Sequence, residues 1–299
     1  MPSVPVSVVI ASIVGPPFID DCLESIQGQA KRCGAEVIVA ACGGAWYAER
    51  IARKFPWVRV LHRPERETVP GLRRRGVEQA AGELVAIIEE HCLAAPDWLD
   101  RAVEAYAGGE YGVVGGPVAD HAYARLRDWV VYFIEYNNYL PPWRAGEWRD
   151  LGSANIAYSR QLLLSHRELL TGGYWEAGLH PQLIAEGVKF RPAPDMKVHH
   201  RGPFNYAYYL GQRYLFSRAF AGRRSRDLSR ARKLLYVLAS PLVPLLLLVR
   251  MAKRVRERNC RWDKFVKALP LMIPALFVYV FGETIGYLAG PGDALAKVE

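Results

Sequence analysis

Two carboxylates and an imidazole stand together directly after an apolar segment of the chain. Glu89, Glu90 and His91 follow the run 83–88, whose sequence is ELVAII. Oxygen and nitrogen donors of this kind suit a divalent cation such as Mn²⁺ or Mg²⁺, and such a cation neutralises the charge that builds on a departing diphosphate. A cluster of acids at the end of a strand is also typical of a helix N-cap or a solvated loop. The position of these side chains in the fold decides between the two interpretations.

The elements that would position these residues alternate between short β-branched segments and amphipathic helices. The alternation predicts an α/β fold with a Rossmann-like, mostly parallel sheet and helices on its faces. Open sheets of this type bind ligands at the carboxyl ends of their strands, so Ser12 and Ala41-Cys42 share an edge with the acidic cluster. The predicted strands are 6–11, 36–41, 58–61, 83–89 and 113–118, and the predicted helices are 17–31, 71–81 and 97–107.

The segment 69–99, VPGLRRRGVEQAAGELVAIIEEHCLAAPDWL, resembles the donor-binding segment of glycosyltransferase family 2, whose fold is called GT-A. Further matches follow in the family's order over about residues 4–220. They are the Gly115-Gly116 strand, the segment 152–158 (GSANIAY), Glu176 on a helix, and the segment 194–200 (PDMKVHH), which ends in a histidine pair. The positions that fall on the first motif are Arg73, Gly76, Ala80, Gly82, Pro96, Asp97 and Trp98.

The resemblance implies an inverting sugar transfer from a nucleotide-sugar, and it implies a role for each matched residue. Glu176 would be the general base, although an acid at a helix N-terminus is also favoured by the helix dipole alone. The implied metal ligands are Glu89, His91 and His200, with Glu90 as the alternative to Glu89 and His199 as the alternative to His200. The implied donor-binding residues are Ser12, Arg73, Glu89, Glu90 and Asn155, and the implied acceptor pocket contains Trp175, Gln212 and Arg213. Trp175 and Asn155 could instead pack in the core.

The chain departs from the family pattern at several positions. Glu89-Glu90-His91 stands where the family has Asp-x-Asp, and Ala41-Cys42 replaces the acidic pair that usually ends the second strand. Trp175 takes the place of the first acid of an E-D pair. No complete Q-x-x-R-W motif is present, and Gln212-Arg213 with Arg218 matches it only in part, which argues against a processive polymer synthase. These departures put the identity of the nucleotide in doubt and leave open a catalytically weakened relative that binds a glycan or a partner synthase.

Charge is distributed unevenly along the chain. The formal net charge is +9, but 17 Lys and Arg residues face only three acids between Arg201 and Lys267, while the rest of the chain has 22 basic and 27 acidic residues. A basic region of this size attracts nucleic acid or anionic lipid. Its aromatic and basic segment 205–224 and its apolar neighbours favour lipid, so no nucleic-acid partner is expected.

Two apolar runs, 234–249 and 268–282, flank a basic connection in the same region. Each run is short for a span and contains two prolines, and a simple hairpin would place basic flanks on both sides of the membrane. We therefore predict re-entrant or interfacial helices, with a spanning hairpin and two buried core helices as the alternatives. The predicted domains are a GT-A domain at 1–204, an interfacial aromatic and basic helix at 205–233, and the two membrane helices with their basic loop at 234–290.

Five scattered cysteines without a C-x-x-C pair predict free thiols in a reducing compartment, and the N-terminus predicts a strand rather than a secretory signal. Taken together, these features predict a membrane-associated, metal-dependent glycosyltransferase of hexosyltransferase type whose catalytic domain faces the cytoplasm. Its partners would be a nucleotide-sugar, a lipid-linked or membrane-proximal acceptor and an anionic membrane. A structural membrane protein that uses the α/β part as an anchor is a second alternative.

Overall fold

The computed structural model describes residues 4–107, 109–144, 151–171, 175–202 and 205–298, and only the backbone of Asp227. The predicted domain end at residue 204 lies outside these residues. The strands are β1 (Val6–Ser12), β2 (Glu36–Cys42), β3 (Arg59–Arg63), β4 (Leu84–Ile88), β5 (Cys92–Ala94), β6 (Val113–Gly115), β7 (Val118–Ala119), β8 (Asn155–Ser159), β9 (Phe190–Pro192) and β10 (Val198–His200). The helices are α1 (Phe18–Cys33), α2 (Ala45–Lys54), α3 (Val69–Gln79), α4 (Trp98–Tyr106), α5 (Leu126–Glu135), α6 (Arg160–Ser165), α7 (Trp175–Ala185), α8 (Tyr206–Arg224), α9 (Arg230–Ala239), α10 (Val243–Glu257), α11 (Trp262–Ala289) and α12 (Ala294–Lys297).

The larger sheet has the strand order β3-β2-β1-β4-β8-β6-β9. Strands β3, β2, β1 and β4 are parallel neighbours, whereas β8 runs antiparallel to both β4 and β6. Every residue of β1 and of β4 is buried, as expected for central strands covered by helices on both faces. The predicted α/β class and its mostly parallel sheet are therefore confirmed. The carboxyl ends of β1, β2 and β4 lie side by side at one edge.

Local sequence explains how α3 lies against this sheet. The Thr68 hydroxyl accepts a hydrogen bond from the Gly71 N–H at 3.1 Å, and Pro70 occupies the first turn. A Cβ at Gly76 would lie 2.3 Å from Val9 Cγ1, so this glycine lets α3 approach β1 closely. Arg73, one turn before Gly76 on the same helix, is consequently held close to the carboxyl end of the sheet.

The predicted single strand at 113–118 is wrong. The chain breaks at Gly116-Pro117 into β6, which belongs to the larger sheet, and β7, which joins β5 and β10 in a second sheet. A Cβ at Gly116 would lie 1.7 Å from the Met196 carbonyl oxygen, so the backbones of two segments meet there. The pattern of apolar residues along 113–118 does not indicate a long-range contact of this kind, so the break could not be predicted from it.

The chain divides into two compact units. The first contains residues 1–121 and 141–201, and the second contains residues 122–140 and 202–299. The second unit is helical and includes α5 and α8–α12. Inside it, the Trp129 and Phe133 rings stack with centroids 5.7 Å apart, and Phe133 meets Phe265 of α11 at 5.2 Å.

Two helical runs of the second unit, Arg230–Glu257 and Trp262–Ala289, are long and apolar enough to cross a membrane by length and composition. Large apolar side chains are exposed on both runs. On the first run they are Leu234, Leu235, Leu238, Leu242, Leu245, Leu246 and Val249, and on the second they are Trp262, Val266, Ile273, Phe277, Phe281 and Leu288.

Candidate active site

The candidate metal ligands Glu89 and His91 lie between the end of β4 and the start of β5. Glu89 and Glu90 follow β4 directly, and β5 pairs antiparallel with β10 so that His200 lies opposite Cys92. This pairing brings the His91 and His200 rings edge to face, with centroids 5.3 Å apart. The neighbouring His199 points to the other face of the strand, where its Nδ1 lies 3.0 Å from the Asp120 carbonyl oxygen. Of the two histidines that the sequence offered, His200 is the one beside His91.

The donor atoms of Glu89, His91 and Cys92 lie within 4.8 Å of one another, and His91 Nε2 is 3.1 Å from Glu89 Oε2. Burial alone would lower the pKa of His91, but its hydrogen bond to Glu89 and the charges of Glu89 and Glu90 raise this pKa overall. Burial lowers the pKa of His200 well below its usual value, and His91 adds to the effect, so His200 is a neutral imidazole. Burial raises the pKa of Cys92 well above its usual value, which keeps it a thiol and a poor ligand for a hard cation. The carboxylate of Glu89 and the imidazole of His91 suit a divalent metal, and the His200 ring lies beside that of His91.

Arg73 brings a positive charge to the same carboxylate. Its side chain is almost fully buried, and its Nη2 lies 3.4 Å from Glu89 Oε1. Glu89 is thus in contact with a guanidinium through one oxygen and an imidazole through the other. A buried arginine next to a carboxylate that could bind a metal ion is well suited to stabilise the negative charge of a diphosphate.

Glu90 faces away from this cluster and shapes the loop after β1. Its Oε1 accepts hydrogen bonds from the N–H groups of Ile13 and Val14, both at 2.8 Å. Its Oε2 accepts from the Ser12 hydroxyl at 2.5 Å and from the Gly15 N–H at 3.0 Å. The Ser12 hydroxyl also contacts the Tyr47 hydroxyl. Ser12 and Glu90, both predicted to bind the donor, are bonded to each other and would act on a donor through the position of this loop.

Replacing Glu90 by Gln is therefore expected to destabilise the protein and to weaken nucleotide binding together. A Gln side chain places an NH₂ group where two donors already point, so the stability loss should be about 3 kcal/mol. Chemical denaturation measures the first effect and calorimetric titration of a nucleoside diphosphate measures the second. The exposed Glu104, changed to Gln, provides the control. Unchanged nucleotide affinity in the Glu90 variant would contradict the assigned role of the loop.

Asn155 is fully engaged with other parts of the protein. Its Nδ2 donates to the carbonyl oxygens of Pro117 at 3.0 Å and Met196 at 2.6 Å, and its Oδ1 accepts from Trp98 Nε1 at 2.7 Å. Both amide hydrogens are used, so the side chain joins the two sheets and α4 and does not offer a donor to a ligand. Of the two interpretations from the sequence, packing is the one that the structure favours.

Replacing Asn155 by Ala is expected to cost about 3 kcal/mol of unfolding free energy, because three buried polar groups lose their partner at once. Urea denaturation of the variant and the parent measures this difference. Gln161→Ala, an exposed position on α6, serves as the control and should change stability by less than about 0.5 kcal/mol. A small loss at Asn155 would mean that water replaces the amide.

Trp175 and Glu176 begin α7 and point to different surroundings. Trp175 is completely buried, donates to the Leu170 carbonyl oxygen at 2.9 Å and lies edge to face with Tyr158. It is a core residue in this structure, and the prediction that it lines an acceptor pocket is not supported. Glu176 is half-buried, and its Oε1 accepts from both the backbone N–H (2.7 Å) and the hydroxyl of Ser153.

Two other features from the sequence, the Ala41-Cys42 pair and the Gln212-Arg213 pair, lie apart from these contacts of Glu176. At the end of β2, Ala41 and Cys42 are buried, and Cys42 packs with Ala11, Ala40 and Leu72. The end of this strand is therefore apolar and has no carboxylate. Gln212 and Arg213 belong to the second unit, where Arg213 forms an ion pair with Glu135 at 2.5 Å. Sequence reasoning did not identify Ser153 as the partner of Glu176, although Ser153 stands within the GSANIAY segment that carried the resemblance.

The mostly parallel sheet is that of the GT-A class of glycosyltransferases, and carboxylate, imidazole and guanidinium groups lie together at its carboxyl edge. The chain belongs to glycosyl transferase family 2, whose model matches residues 7–166. This confirms the family that the motifs indicated.

Three known proteins are similar to this chain. Glycosyltransferase AglE of Haloferax volcanii is 29% identical over 118 residues, so the match spans 38% of this chain and 39% of AglE. The solved structure of mannosyltransferase PcManGT from Pyrobaculum calidifontis, in complex with GDP-Man and Mn²⁺, has a TM-score of 0.59 at 17% identity and covers 96% of this chain and 88% of that one. Glucosyl-3-phosphoglycerate synthase of M. tuberculosis has a TM-score of 0.47 at 17% identity, covering 68% and 73%.

Proposed function

We propose that this protein is a membrane-associated, metal-dependent, inverting glycosyltransferase that moves a hexose from a nucleotide-sugar to a lipid-linked or membrane-proximal acceptor. The observation that carries the proposal is the convergence of Glu89, His91, His200 and buried Arg73 at the carboxyl edge of a family 2 sheet. Five free cysteines support a reducing compartment, and hence a catalytic unit that faces the cytoplasm.

Glu89, His91 and His200 would hold the divalent cation, with Mn²⁺ or Mg²⁺ as the ions to test. When bound, the cation neutralises charge on the diphosphate of the donor. Arg73 adds a second positive charge next to Glu89, in a buried position where its electrostatic effect is strong. The Arg73 guanidinium would stabilise the nucleoside diphosphate as it departs with the electron pair of the broken C1–O bond.

Glu176 is the proposed general base. The backbone N–H and hydroxyl of Ser153 hold Oε1, and we assign Oε2 to the acceptor hydroxyl. Proton transfer to Oε2 lets the acceptor oxygen form a bond to C1 on the face opposite the departing diphosphate, so the anomeric configuration inverts. The role requires an acceptor hydroxyl within hydrogen-bond reach of Glu176.

The second unit supports an acceptor at a membrane. Its two long helical runs expose large apolar side chains, and its segment 250–267 contains eight Lys and Arg residues against two acids. An exposed apolar surface bordered by cations is the combination that anionic bilayers bind. A lipid-linked acceptor would then be concentrated in the same membrane to which the protein binds.

A donor screen tests the proposal. Release of nucleoside diphosphate is measured for a panel of nucleotide-sugars with polyprenyl phosphates as acceptors, in Mn²⁺, in Mg²⁺ and in EDTA, and GDP-mannose is the first donor because PcManGT was solved with it. We expect one donor to be used with a metal and not in EDTA. If every donor is inert and none raises the melting temperature, the enzyme assignment fails.

The buried, apolar end of β2 favours a second candidate function. Cys42 and Ala41 provide no carboxylate for the nucleoside, so a weakened relative that binds a glycan or partner synthase without turnover is the alternative. The same screen separates the two, because this alternative predicts no nucleotide release with any donor, even where a nucleotide-sugar raises the melting temperature.

A further inference from the structure

Helix α8 lies alongside α11 in the second unit, and the two helices run in the same direction. The Tyr206 hydroxyl at the start of α8 donates to the Leu271 carbonyl oxygen at 2.5 Å, and the rings of Tyr214 and Phe281 stack with centroids 5.8 Å apart. Near the end of α8, Arg218 Nε donates to the Gly290 carbonyl oxygen at 3.3 Å. Residue numbers increase together along both helices. Helix α8 therefore covers α11 from its first third to its end.

Two glycines four residues apart make this packing close. A Cβ at Gly282 would lie 2.1 Å from Ser217 Oγ, and a Cβ at Gly286 would lie 2.7 Å from the Arg218 carbonyl oxygen. Small residues at a spacing of four let two helix backbones approach each other. The two helices are consequently in close contact, and the position of one in a membrane determines the position of the other.

The helix that packs along α11 is basic and contains four arginines. The nineteen residues of α8 extend over about 27 Å and include Arg213, Arg218, Arg223 and Arg224. Arg213 is mostly buried and forms its ion pair with Glu135 of α5. Ionised side chains in the hydrocarbon core are costly. An α11 that crossed the bilayer would place much of α8, including the Arg213–Glu135 pair, at the depth of the lipid tails.

We propose that the second unit is monotopic, with α11 lying in the plane of a single leaflet of an anionic bilayer, and that the chain does not cross the membrane at either of its two long apolar helices. The inference rests on the membrane association proposed above and specifies its form. The exposed side of α11 provides the contact, because Val266, Ile273, Phe277, Phe281 and Leu288 follow helical spacing and form one stripe.

The first apolar run lies antiparallel to α11. The Tyr236 ring of α9 lies 5.2 Å from the Tyr287 ring near the end of α11, whereas the end of α10 is joined to the start of α11 by residues 258–261. The run formed by α9 and α10 is therefore antiparallel to α11. Because the two are joined in this way, either both lie in the plane of the membrane or both cross it.

Basic residues stand at both ends of this helix pair. At one end are Arg223, Arg224, Arg226, Arg230, Arg232 and Lys233, and at the other are Arg250, Lys253, Arg254, Arg256, Arg258, Arg261, Lys264 and Lys267. A crossing pair would put these groups at opposite faces of the membrane, against the preference of basic loops for one side. An in-plane pair puts both groups in the same layer of anionic headgroups.

Nitroxide depth measurements test the proposal. Single cysteines replace Val266, Ile273, Phe277, Phe281 and Leu288 in turn, in the full chain with Cys33→Ser, since Cys33 is the half-exposed native thiol and the other four are buried. Each labelled protein is reconstituted in vesicles of equal phosphatidylcholine and phosphatidylglycerol. The ratio of collision rates with oxygen and with a water-soluble nickel chelate gives the depth of each label. A label at Gln161→Cys in the first unit provides the value for water.

We expect all five labels to show the same shift in this ratio away from the Gln161 value, which corresponds to one shallow depth. A profile that is deepest at Phe277 and returns toward water at Val266 and Leu288 would overturn the monotopic arrangement while preserving membrane association. Values equal to that of Gln161 at all five positions would overturn membrane association itself. The melting temperature of each variant confirms that the labelled proteins are folded.

Discussion

Glu176→Gln is expected to lower turnover by about 10³-fold while the affinity for the nucleoside diphosphate stays within twofold of the parent. General-base catalysis contributes about 10²–10⁴-fold, and an amide of the same shape cannot accept the acceptor proton. The Gln side-chain oxygen can still accept from Ser153, so the fold at the start of α7 is retained. Nucleotide release with the best donor of the screen measures turnover, and calorimetric titration measures binding.

Glu168→Gln is the matched control for this variant. Glu168 is an exposed acid in the short helical turn just before α7, and its change to Gln should leave turnover unaffected. A Glu176 variant that keeps the parent's rate would remove this residue as the base. A variant that also loses nucleotide affinity would place Glu176 in donor binding instead.

Removal of the metal is expected to have the second large effect. EDTA should abolish nucleotide release, and added Mn²⁺ should restore it, because the charge on the departing diphosphate is then neutralised. His91→Ala should raise the Mn²⁺ concentration required for half-maximal rate by about 10²-fold, since it removes an imidazole that lies 3.1 Å from Glu89. Titration of Mn²⁺ into metal-free parent and variant measures both the rate and the binding of the ion.

The same substitution at His199 separates the two histidines of β10. His199 points toward the Asp120 carbonyl oxygen, so His199→Ala should leave the Mn²⁺ requirement unchanged, whereas His200→Ala should raise it. An unchanged requirement in the His91 and His200 variants would contradict the metal site. A raised requirement in the His199 variant would reverse the assignment within the pair.

Much of the sheet was predictable because its pattern is local. Strand β4 is a run of five apolar residues between polar ends, and its predicted position differs from the observed one by a single residue at each end. The break at Gly116-Pro117 was not predictable, because it depends on Met196, eighty residues away, approaching the backbone of Gly116. The same long-range contact fixes Asn155, whose residue type suits a ligand site and a buried bridge equally well.

The sequence by itself determined the family, the acidic and imidazole cluster at Glu89–His91, and the separation of a mildly acidic α/β region from a basic, apolar one. Those features depend only on residue types and on their order along the chain, so they can be read without knowledge of the fold. Only the tertiary structure decided that Glu90 shapes the β1 loop and that Trp175 is core, because both depend on which groups a side chain meets after folding. It also decided that α8 and α11 run side by side, since helix pairing is set by close contacts such as those at Gly282 and Gly286, and two apolar runs in a sequence do not specify which neighbours will cover them.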